Sequence, residues 1–584
     1  MFLSELKIWN FRKYGSRNFD LSDPHLVVPF TQGLNVLVGE NDSGKTAIID
    51  AIKLVLKTHA YEWIRVEDRD FYTGADRFRI ELLFKGLAPN EAKNFIEWLG
   101  WEGEGDKASP ILRLIYQVIK KDERILPADV KAGMDEDGYP LNAEARQYLK
   151  STYLRPLRDA ETELIAKRNS RLSQILQEHH LFSGKEKDHE LVKKFNDLNK
   201  DIKAWFETAG KGKEEIKDRI DEFLRKFISE DKESILTTGR GEIKAVLEKL
   251  SLDIIDIHNP GLGSLNRLFM AAELLHLKKD NWNGLRLCLI EELEAHLHPQ
   301  AQMKVVEALQ SEQEVQFILS THSPNLASKV KLHNLILFNG NNVYPLTEEP
   351  SKDQTIKATN NYTELDVGDN KFLERFLDVT KSNLFFSKGV ILVEGWSEQL
   401  LIPVIASKIG CDLTRNEVSI VNVGSTAYFR YAKIFKRKDD KELNIPVAVV
   451  TDLDIRPDDE GNFNTDDEAQ KKSELKEING QSVCMFFSRQ WTLEWCLYKS
   501  NLQSEFGKIV KGVHSGTQGY NDDFKKEIIK HLKNSSLKKV EIAARLAQKI
   551  SEDDIMLDTS DEWLCYLIEA IKYACGKTKC DGQN

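Results

Sequence analysis

Gly39-Glu40-Asn41-Asp42-Ser43-Gly44-Lys45-Thr46 fits the phosphate-binding pattern G-x-x-x-x-G-K-[ST], and its setting decides the first half of the fold. The apolar run Leu34-Asn35-Val36-Leu37-Val38 precedes it and reads as a strand, and Ala47 to Leu56 follows as a helix. Strand, loop and helix in that order wrap backbone N–H groups and the positive end of a helix around a chain of phosphates. Gly39, Asn41 and Gly44 belong to the loop itself. Lys45 is expected to reach the β and γ phosphates, and the Thr46 hydroxyl to bind magnesium. The nucleotide implied is ATP with Mg2+.

The acids that such a site needs lie far along the chain. Leu287-Cys288-Leu289-Ile290-Glu291-Glu292 is an apolar strand ending in two carboxylates, the form of a Walker B motif. Glu291 is expected to hold magnesium through water, and Glu292 to orient the attacking water as general base. Gln316 to Leu319 reads as another strand and ends in Ser320-Thr321-His322-Ser323-Pro324, where His322 can contact the γ phosphate and sense its loss. Leu335 to Phe338 is a further strand-like run.

Between these stretches, from about Glu161 to Leu252, the texture is helical. Leu191, Phe195, Leu198, Ile202 and Trp205 step by fours and threes, as do Ile216, Ile220, Phe223 and Phe227. Each set falls on one helical face. Gly210-Lys211-Gly212 separates the two helices, as in a helical hairpin. Those apolar faces have to pack against something.

After a polar stretch from about Thr347 to Asn370, a second alternating unit begins. Val390–Val393, Val418–Val423 and Val447–Val450 read as strands, with helices at Ser397–Ile409 and Tyr428–Lys436. Alternation of this kind implies a parallel sheet with helices on its faces. The first strand runs into Val393-Glu394-Gly395-Trp396-Ser397-Glu398, and the third into Thr451-Asp452-Leu453-Asp454. Neighbouring parallel strands present their C-terminal ends to a common crevice, so Glu394, Glu398, Asp452 and Asp454 should converge there. Four clustered carboxylates are unfavourable unless divalent cations neutralise them, and all-oxygen ligands suit magnesium or manganese. Two such ions can activate a water and stabilise the leaving oxygen of a phosphodiester. Each acid taken alone is an ordinary cap. Together, in order, at the ends of apolar strands, they read as a catalytic metal site.

The whole chain sets wider bounds. Its 584 residues call for two to four domains. The 41% hydrophobic and 30% charged composition is that of a soluble globular protein, and no apolar run is long enough to cross a bilayer. A start lacking a signal-peptide pattern leads to the expectation of a cytoplasmic protein, away from membranes. Seven scattered cysteines do not form a secreted disulfide framework. Cys575 and Cys580 have no second close pair of Cys or His to complete a zinc site. A net charge of −11 disfavours a dedicated DNA-coating protein but leaves room for an enzyme that gathers carboxylates around metal.

The order of these pieces resembles the ABC ATPases of the SMC and RecF type. Ile8-Trp9-Asn10-Phe11-Arg12 resembles their N-terminal strand signature, which implies that Arg12 lies near the nucleotide. Glu294-Ala295-His296-Leu297-His298-Pro299 resembles the loop after their Walker B strand, making His296 and His298 structural rather than metal ligands. Gly261-Leu262-Gly263-Ser264-Leu265-Asn266 stands where the signature loop would fall but departs from Ser-Gly-Gly. The second unit resembles the Toprim domain. An SMC-like ATPase with a helical insertion followed by Toprim resembles the OLD (overcoming lysogenization defect) family of ATP-dependent nucleases.

The resemblance covers essentially the whole chain. Tyr153-Leu154-Arg155-Pro156-Leu157-Arg158-Asp159-Ala160 looks like the segment entering the family's dimerisation insertion. Thr492-Leu493-Glu494-Trp495 resembles an acidic motif after the D-x-D strand. Lys539-Val540-Glu541-Ile542-Ala543 resembles a late Lys-Gly-Glu-Phe-Ala motif, although Val540 replaces the glycine and Lys538 is an adjacent alternative. By this resemblance Glu394, Glu398, Asp452, Asp454 and Glu494 hold the metals, and Lys539 stabilises charge on the phosphate.

The fold expected is therefore α/β and multidomain. It comprises an N-terminal ABC ATPase segment (1–160), a helical dimerisation insertion (161–255), a returning ABC ATPase segment (256–346), a linker (347–382) and a Toprim nuclease domain (383–584). The implied activity is DNA endonuclease in anti-phage defence, by a homodimer or higher homo-oligomer. Some members act alone, the type that the E-A-H-L-H-P loop and D-x-D spacing favour, and others work with a helicase-like partner protein. The competing reading is a non-nucleolytic SMC/RecF-like ATPase that clamps DNA or a partner. A topoisomerase would need a nucleophilic tyrosine in a separate DNA-gate domain, and a primase a further catalytic or zinc-binding domain; no segment supplies either.

Overall fold

The computed structural model describes residues 1–580 except 61–63, 106–107, 156–159, 186–187, 229–231, 237–240, 258, 279–281, 349–360, 440, 459, 553–554 and 556. Pro156 to Asp159, within the segment expected to enter the insertion, thus lie outside the described residues.

The elements that position functional side chains begin with β1 (Leu34–Gly39) and α1 (Lys45–Leu56), the strand and helix that flank the phosphate loop. Next come β2 (Arg77–Lys85), β3 (Ser109–Lys121) and β4 (Thr152–Leu154). The helical stretch supplies α2 (Arg171–Glu178), α3 (Glu190–Glu207), α4 (Asp218–Phe227) and α5 (Leu262–Leu277). It is followed by β5 (Leu287–Ile290), β6 (Leu335–Asn339), β7 (Asn342–Pro345) and α6 (Val367–Phe376). The last third holds β8 (Gly389–Val393), α7 (Trp396–Lys408), β9 (Val418–Asn422), β10 (Val447–Thr451) and β11 (Val483–Phe487). Three helices complete it: α8 (Leu493–Lys499), α9 (Lys539–Glu552) and α10 (Cys565–Ala574).

Two compact units divide the chain. One contains Met1–Leu6, Ile49–His298 and Glu312–Ile318; the other contains Lys7–Ile48, Pro299–Ser311 and Leu319–Asn584. They cut across the expected domain limits, which therefore stay a proposal.

In the first unit, β2 and β3 form a long antiparallel pair with Ile80 opposite Tyr116. The alternation Phe78-Arg79-Ile80-Glu81-Leu82 carries a strand signal, which the stronger pattern of the phosphate loop overshadows. In the same unit β4 runs parallel to β5, with Leu154 beside Ile290. Both insertion helices form where their periodicity puts them, α3 and α4 lying on either side of Gly210–Gly212. Their apolar stripes stay largely uncovered: Trp205 is 59% exposed, Phe223 56% and Phe227 80%. A face of this kind is an interaction site or an aggregation hazard.

In the second unit β1 pairs in parallel with β6, and β6 in antiparallel with β7. The last third builds a parallel sheet in the order β9-β8-β10-β11. Its strands β8 and β10 are buried throughout, which is why both read as unbroken apolar runs rather than alternating ones. Gly389 must be glycine, because a Cβ there would lie 2.0 Å from the Ala574 carbonyl oxygen at the end of α10.

Three expectations need correction. The segment 347–382 is not simply a linker. Asp366 and Asp369 cap α6 reciprocally, and Asp369 pairs with Lys433 at 2.8 Å, so its second half folds onto the Toprim unit. The Toprim sheet has a fourth strand, β11, beyond the three expected, although Val-Cys-Met-Phe-Phe carries a clear apolar signal. The cysteines read as scattered include one bonded pair, Cys580 with Cys484 of β11 in a disulfide, Cα to Cα 5.8 Å. Among the described residues no helix is long and apolar enough to cross a membrane.

Candidate active site

The register of the parallel sheet places its acids. Val393 lies beside Val450, so Glu394, one residue past β8, comes level with Thr451 at the end of β10. The Thr451 hydroxyl donates to Glu394 Oε1, and the Tyr428 hydroxyl lies 3.5 Å from Thr451 Oγ1. Sequence reasoning singles out neither Thr451 nor Tyr428. The only hint is that Thr451 immediately precedes D-x-D.

Asp452 and Asp454 follow on a loop pinned by Ser488 and Trp491. Leu453 N donates to Ser488 Oγ at 3.0 Å, and Asp454 N to the Trp491 carbonyl at 2.9 Å. Asp454 has φ +57, a conformation tolerated by Asp, and its side chain is exposed. Glu398 stands in the first turn of α7. Glu494 stands in the first turn of α8, is 3% exposed, and sits behind the Thr492 cap. Because α9 packs on α7, Lys539 at its start reaches the same place, with Nζ 2.8 Å from the Glu494 carboxylate. Lys538 faces Glu541 at 3.6 Å.

All five predicted acids and Lys539 thus gather at one end of one sheet. Burial, then Glu494 and Glu398, hold the Asp452 carboxyl well above the usual range against the pull of Lys539. Burial raises Glu394 too, with the Thr451 hydroxyl opposing and Asp454 adding to the shift. Glu398 is pushed up to about 7 by burial, with Glu494 and Glu394 contributing and its own backbone opposing. At Lys539, burial works against the charge, but Glu494, Asp452 and Glu398 outweigh it and raise its pKa. Like charges crowded in this way repel one another, and one lysine cannot compensate five carboxylates. Burial, then Cys496, Asp452, Glu398 and Glu494, raise the pKa of the Tyr566 hydroxyl, another group without a sequence signal. It has no protein hydrogen-bond partner among the described residues. An all-oxygen cluster with surplus negative charge and an orphaned hydroxyl fits hard divalent cations.

This electrostatic arrangement has a pH signature. Folded Glu398 titrates near 7 instead of 4.5, so its stabilising effect is complete below pH 4.5 and is lost as pH rises through about 7. Asp452 and Glu394 act in the same direction. The metal-free melting temperature is expected to fall between pH 5.5 and 8, and millimolar Mg2+ or Mn2+ to restore more of it at pH 8 than at pH 5.5. A flat profile in thermal melts would count against the cluster.

The phosphate loop has the form its letters require. Gly44 has φ +101, and a Cβ there would lie 2.0 Å from the Tyr14 hydroxyl, so only glycine closes the loop. Lys45 Nζ donates to the carbonyls of Gly39 at 2.9 Å and Glu40 at 2.5 Å, and to Ser43 Oγ at 3.1 Å. Asn41 and Thr46 are exposed. Arg12 lies over the Phe11 ring, 5.2 Å from its centroid. Its neighbour Lys13, which no sequence motif marks, donates to the Asp42, Ser43 and Gly340 carbonyls. Thr321, next to His322, donates its N–H to the Leu37 carbonyl of β1, and His322 itself is half-buried. In the other unit, Glu291 is buried and accepts from the Tyr153 hydroxyl, while Glu292 is exposed with φ +45. Gly263 abuts the His296 carbonyl, 2.6 Å from where a Cβ would be, which gives the E-A-H-L-H-P loop a packing role.

Known families match both halves of this layout. The AAA ATPase domain model matches residues 1–99 and 102–327, and the model described as overcoming lysogenization defect protein-like, TOPRIM domain, matches 385–454. The second match spans β8 to the D-x-D loop. This chain belongs to the OLD family. Among curated relatives, Endonuclease GajA of Bacillus cereus (strain HuB5-5) is 22% identical over 97% of this chain and 98% of its own. OLD nuclease of Thermus scotoductus is 27% identical over 32% of this chain and 34% of its own. Retron Vc95 probable ATPase of Vibrio cholerae is 25% identical over 31% of this chain and 32% of its own. An ATPase domain followed by a Toprim domain is thus the layout of this OLD-family chain.

Proposed function

We propose that this chain is a cytoplasmic DNA endonuclease that cuts phosphodiester bonds at the Toprim carboxylates, serves anti-phage defence, and is governed by ATP bound at Gly39–Thr46. The observation that carries the reading is the convergence of Glu394, Glu398, Asp452, Asp454 and Glu494 with the cation Lys539. A pure binding module gains nothing from so unfavourable a cluster. The full-length match to a relative named as an endonuclease supports it.

In this reading the five acids hold divalent ions of the magnesium or manganese type, which when bound supply an activated water and neutralise the phosphate. Thr451 orients Glu394 through its hydroxyl. Lys539 offsets the ligands' charge and faces the charge that builds on the phosphate in the transition state. At the nucleotide loop Lys45 takes the phosphates, Thr46 serves magnesium, and Arg12 and His322 contact the nucleotide; Glu291 and Glu292 have the Walker B roles of magnesium ligand and base.

The deciding experiment is cleavage of supercoiled plasmid with Mg2+ or Mn2+, with and without ATP. No cleavage with any divalent metal, alongside tight ATP-dependent DNA binding, would assign the chain to the clamping ATPases instead. Lys45→Ala should weaken ATP binding about 10–100-fold, the value of a charge-assisted contact to phosphate, as read by nucleotide titration. It leaves the Toprim acids intact, so its cleavage without ATP separates nucleotide control from chemistry.

The exposed stripe of α3 and α4 is proposed as the homodimer interface. Light scattering should give twice the chain mass or a higher multiple, and Phe223→Asp combined with Trp205→Asp should shift the protein to monomer. A wild-type chain that is monomeric at micromolar concentration would remove this element of the reading.

A further inference from the structure

A second cluster of metal-ligating side chains lies in the ATPase region, well apart in sequence from the Toprim acids. His59, Glu178 and His276 each offer one ligand atom, and the three atoms lie within 4.8 Å of one another. His276 Nε2 is 3.6 Å from Glu178 Oε2, and His59 Nδ1 is 4.0 Å from the same oxygen. The two imidazoles meet edge to face with centroids 4.3 Å apart. All three residues belong to the same compact unit.

The fold holds each donor on a firm support. His59 follows α1 by three residues, and its N–H donates to the Ser151 carbonyl at 3.0 Å. Its ring also packs against Trp282, with centroids 6.3 Å apart. Glu178 ends α2 and His276 stands in the last turn of α5. Those helices are already joined by a buried two-point ion pair, Arg171 to Glu273, at 2.6 and 2.8 Å. Glu273 and His276 are three residues apart and Arg171 and Glu178 seven, so on each helix both side chains share a face. Both histidines are buried, while Glu178 is 44% exposed and opens the cluster to solvent.

We infer that His59, Glu178 and His276 form a binding site for a transition-metal ion of the zinc class. Two imidazoles and one carboxylate are a zinc-type donor set, unlike the all-oxygen Toprim cluster, which suits magnesium or manganese. Ligands about 2.0–2.1 Å from a tetrahedral metal are about 3.4 Å apart, so the observed separations close with side-chain adjustments of an ångström or so. Water reaching past Glu178 takes the fourth position. The ion fastens the residue just beyond the phosphate-loop helix to the far end of α5, and its role is to hold those ends in register rather than to cut DNA. Nothing in this inference depends on the nuclease reading.

The test is metal analysis of the full-length protein after gel filtration, with Co2+ as a spectroscopic substitute for Zn2+. About one zinc per chain is expected, with a tetrahedral Co2+ absorption band, and both should persist in Asp452→Ala. Glu178→Gln, which keeps the shape of a solvent-facing side chain, should weaken Co2+ binding at least tenfold. His276→Ala should abolish the band, with α2 and α5 still joined by Arg171 and Glu273, as circular dichroism would verify. Equal Co2+ affinity in wild type and Glu178→Gln, or loss of the metal in Asp452→Ala, would overturn the assignment.

Discussion

Asp452→Ala is expected to lower metal-dependent plasmid cleavage by at least about a hundredfold, because a ligand to catalytic metal contributes several kcal/mol of transition-state stabilisation. Burial first, then Glu494, Glu398 and Asp454, raise the pKa of Asp452. The same crowding predicts an opposite effect on stability. Without metal, Asp452→Asn removes a like charge from a buried cluster, so its melting temperature at pH 8 should exceed that of wild type by several degrees. With Mg2+ the difference should shrink, since the wild type gains a ligand-linked stabilisation that the variant lacks. Lost cleavage with raised metal-free stability identifies a functional site held against its own repulsion. Undiminished cleavage by Asp452→Ala would remove the nuclease reading.

The second large effect concerns two adjacent lysines. Lys539→Ala should lower cleavage by about 10²–10³-fold, the usual loss when a donor aimed at developing charge is removed. Lys538→Ala should cut within about twofold of wild type, because an exposed pair such as Lys538 with Glu541 contributes at most about 1 kcal/mol to stability, and Glu541 is not one of the five predicted acids. Lys539→Ala also leaves Glu494, 3% exposed, without its 2.8 Å partner. Its metal-free form should therefore be less stable than wild type at pH 8, opposite in sign to Asp452→Asn. Lys539→Arg, which keeps the charge, should recover that stability but only some of the cleavage, since a planar guanidinium cannot occupy the point-charge position of an ammonium. Equal losses in the two alanine variants would mean that α9 as a whole, rather than Lys539, matters to the site.

Much of this is legible before folding because the decisive signals are local. The phosphate loop needs its glycines and lysine within eight consecutive residues, and the strand-end acids are each read from a run of five or six. Helical periodicity over Leu191–Trp205 marks α3, since one turn repeats after 3.6 residues. Even where boundaries move, as when the helix read over Tyr428–Lys436 forms as two short turns, the element stays in its place. The misses have a different origin. Thr451, Tyr428, Tyr566 and Lys13 carry no pattern of their own, and each matters only through a partner far along the chain.

By itself, then, the sequence determined the kind of chemistry: a phosphate cradle, carboxylates at the ends of parallel strands, and two apolar helices in need of a partner. It could not choose between Lys538 and Lys539, because the two stand side by side where α9 begins and only the packing of α9 on α7 says which one reaches the acids. Nor could it pair Cys484 with Cys580 across 96 residues, or bring His59, Glu178 and His276 within 4.8 Å. Local patterns are written by neighbours along the chain, whereas electrostatic and coordination partners are set by which buried faces meet. Only the close-packed core makes that choice.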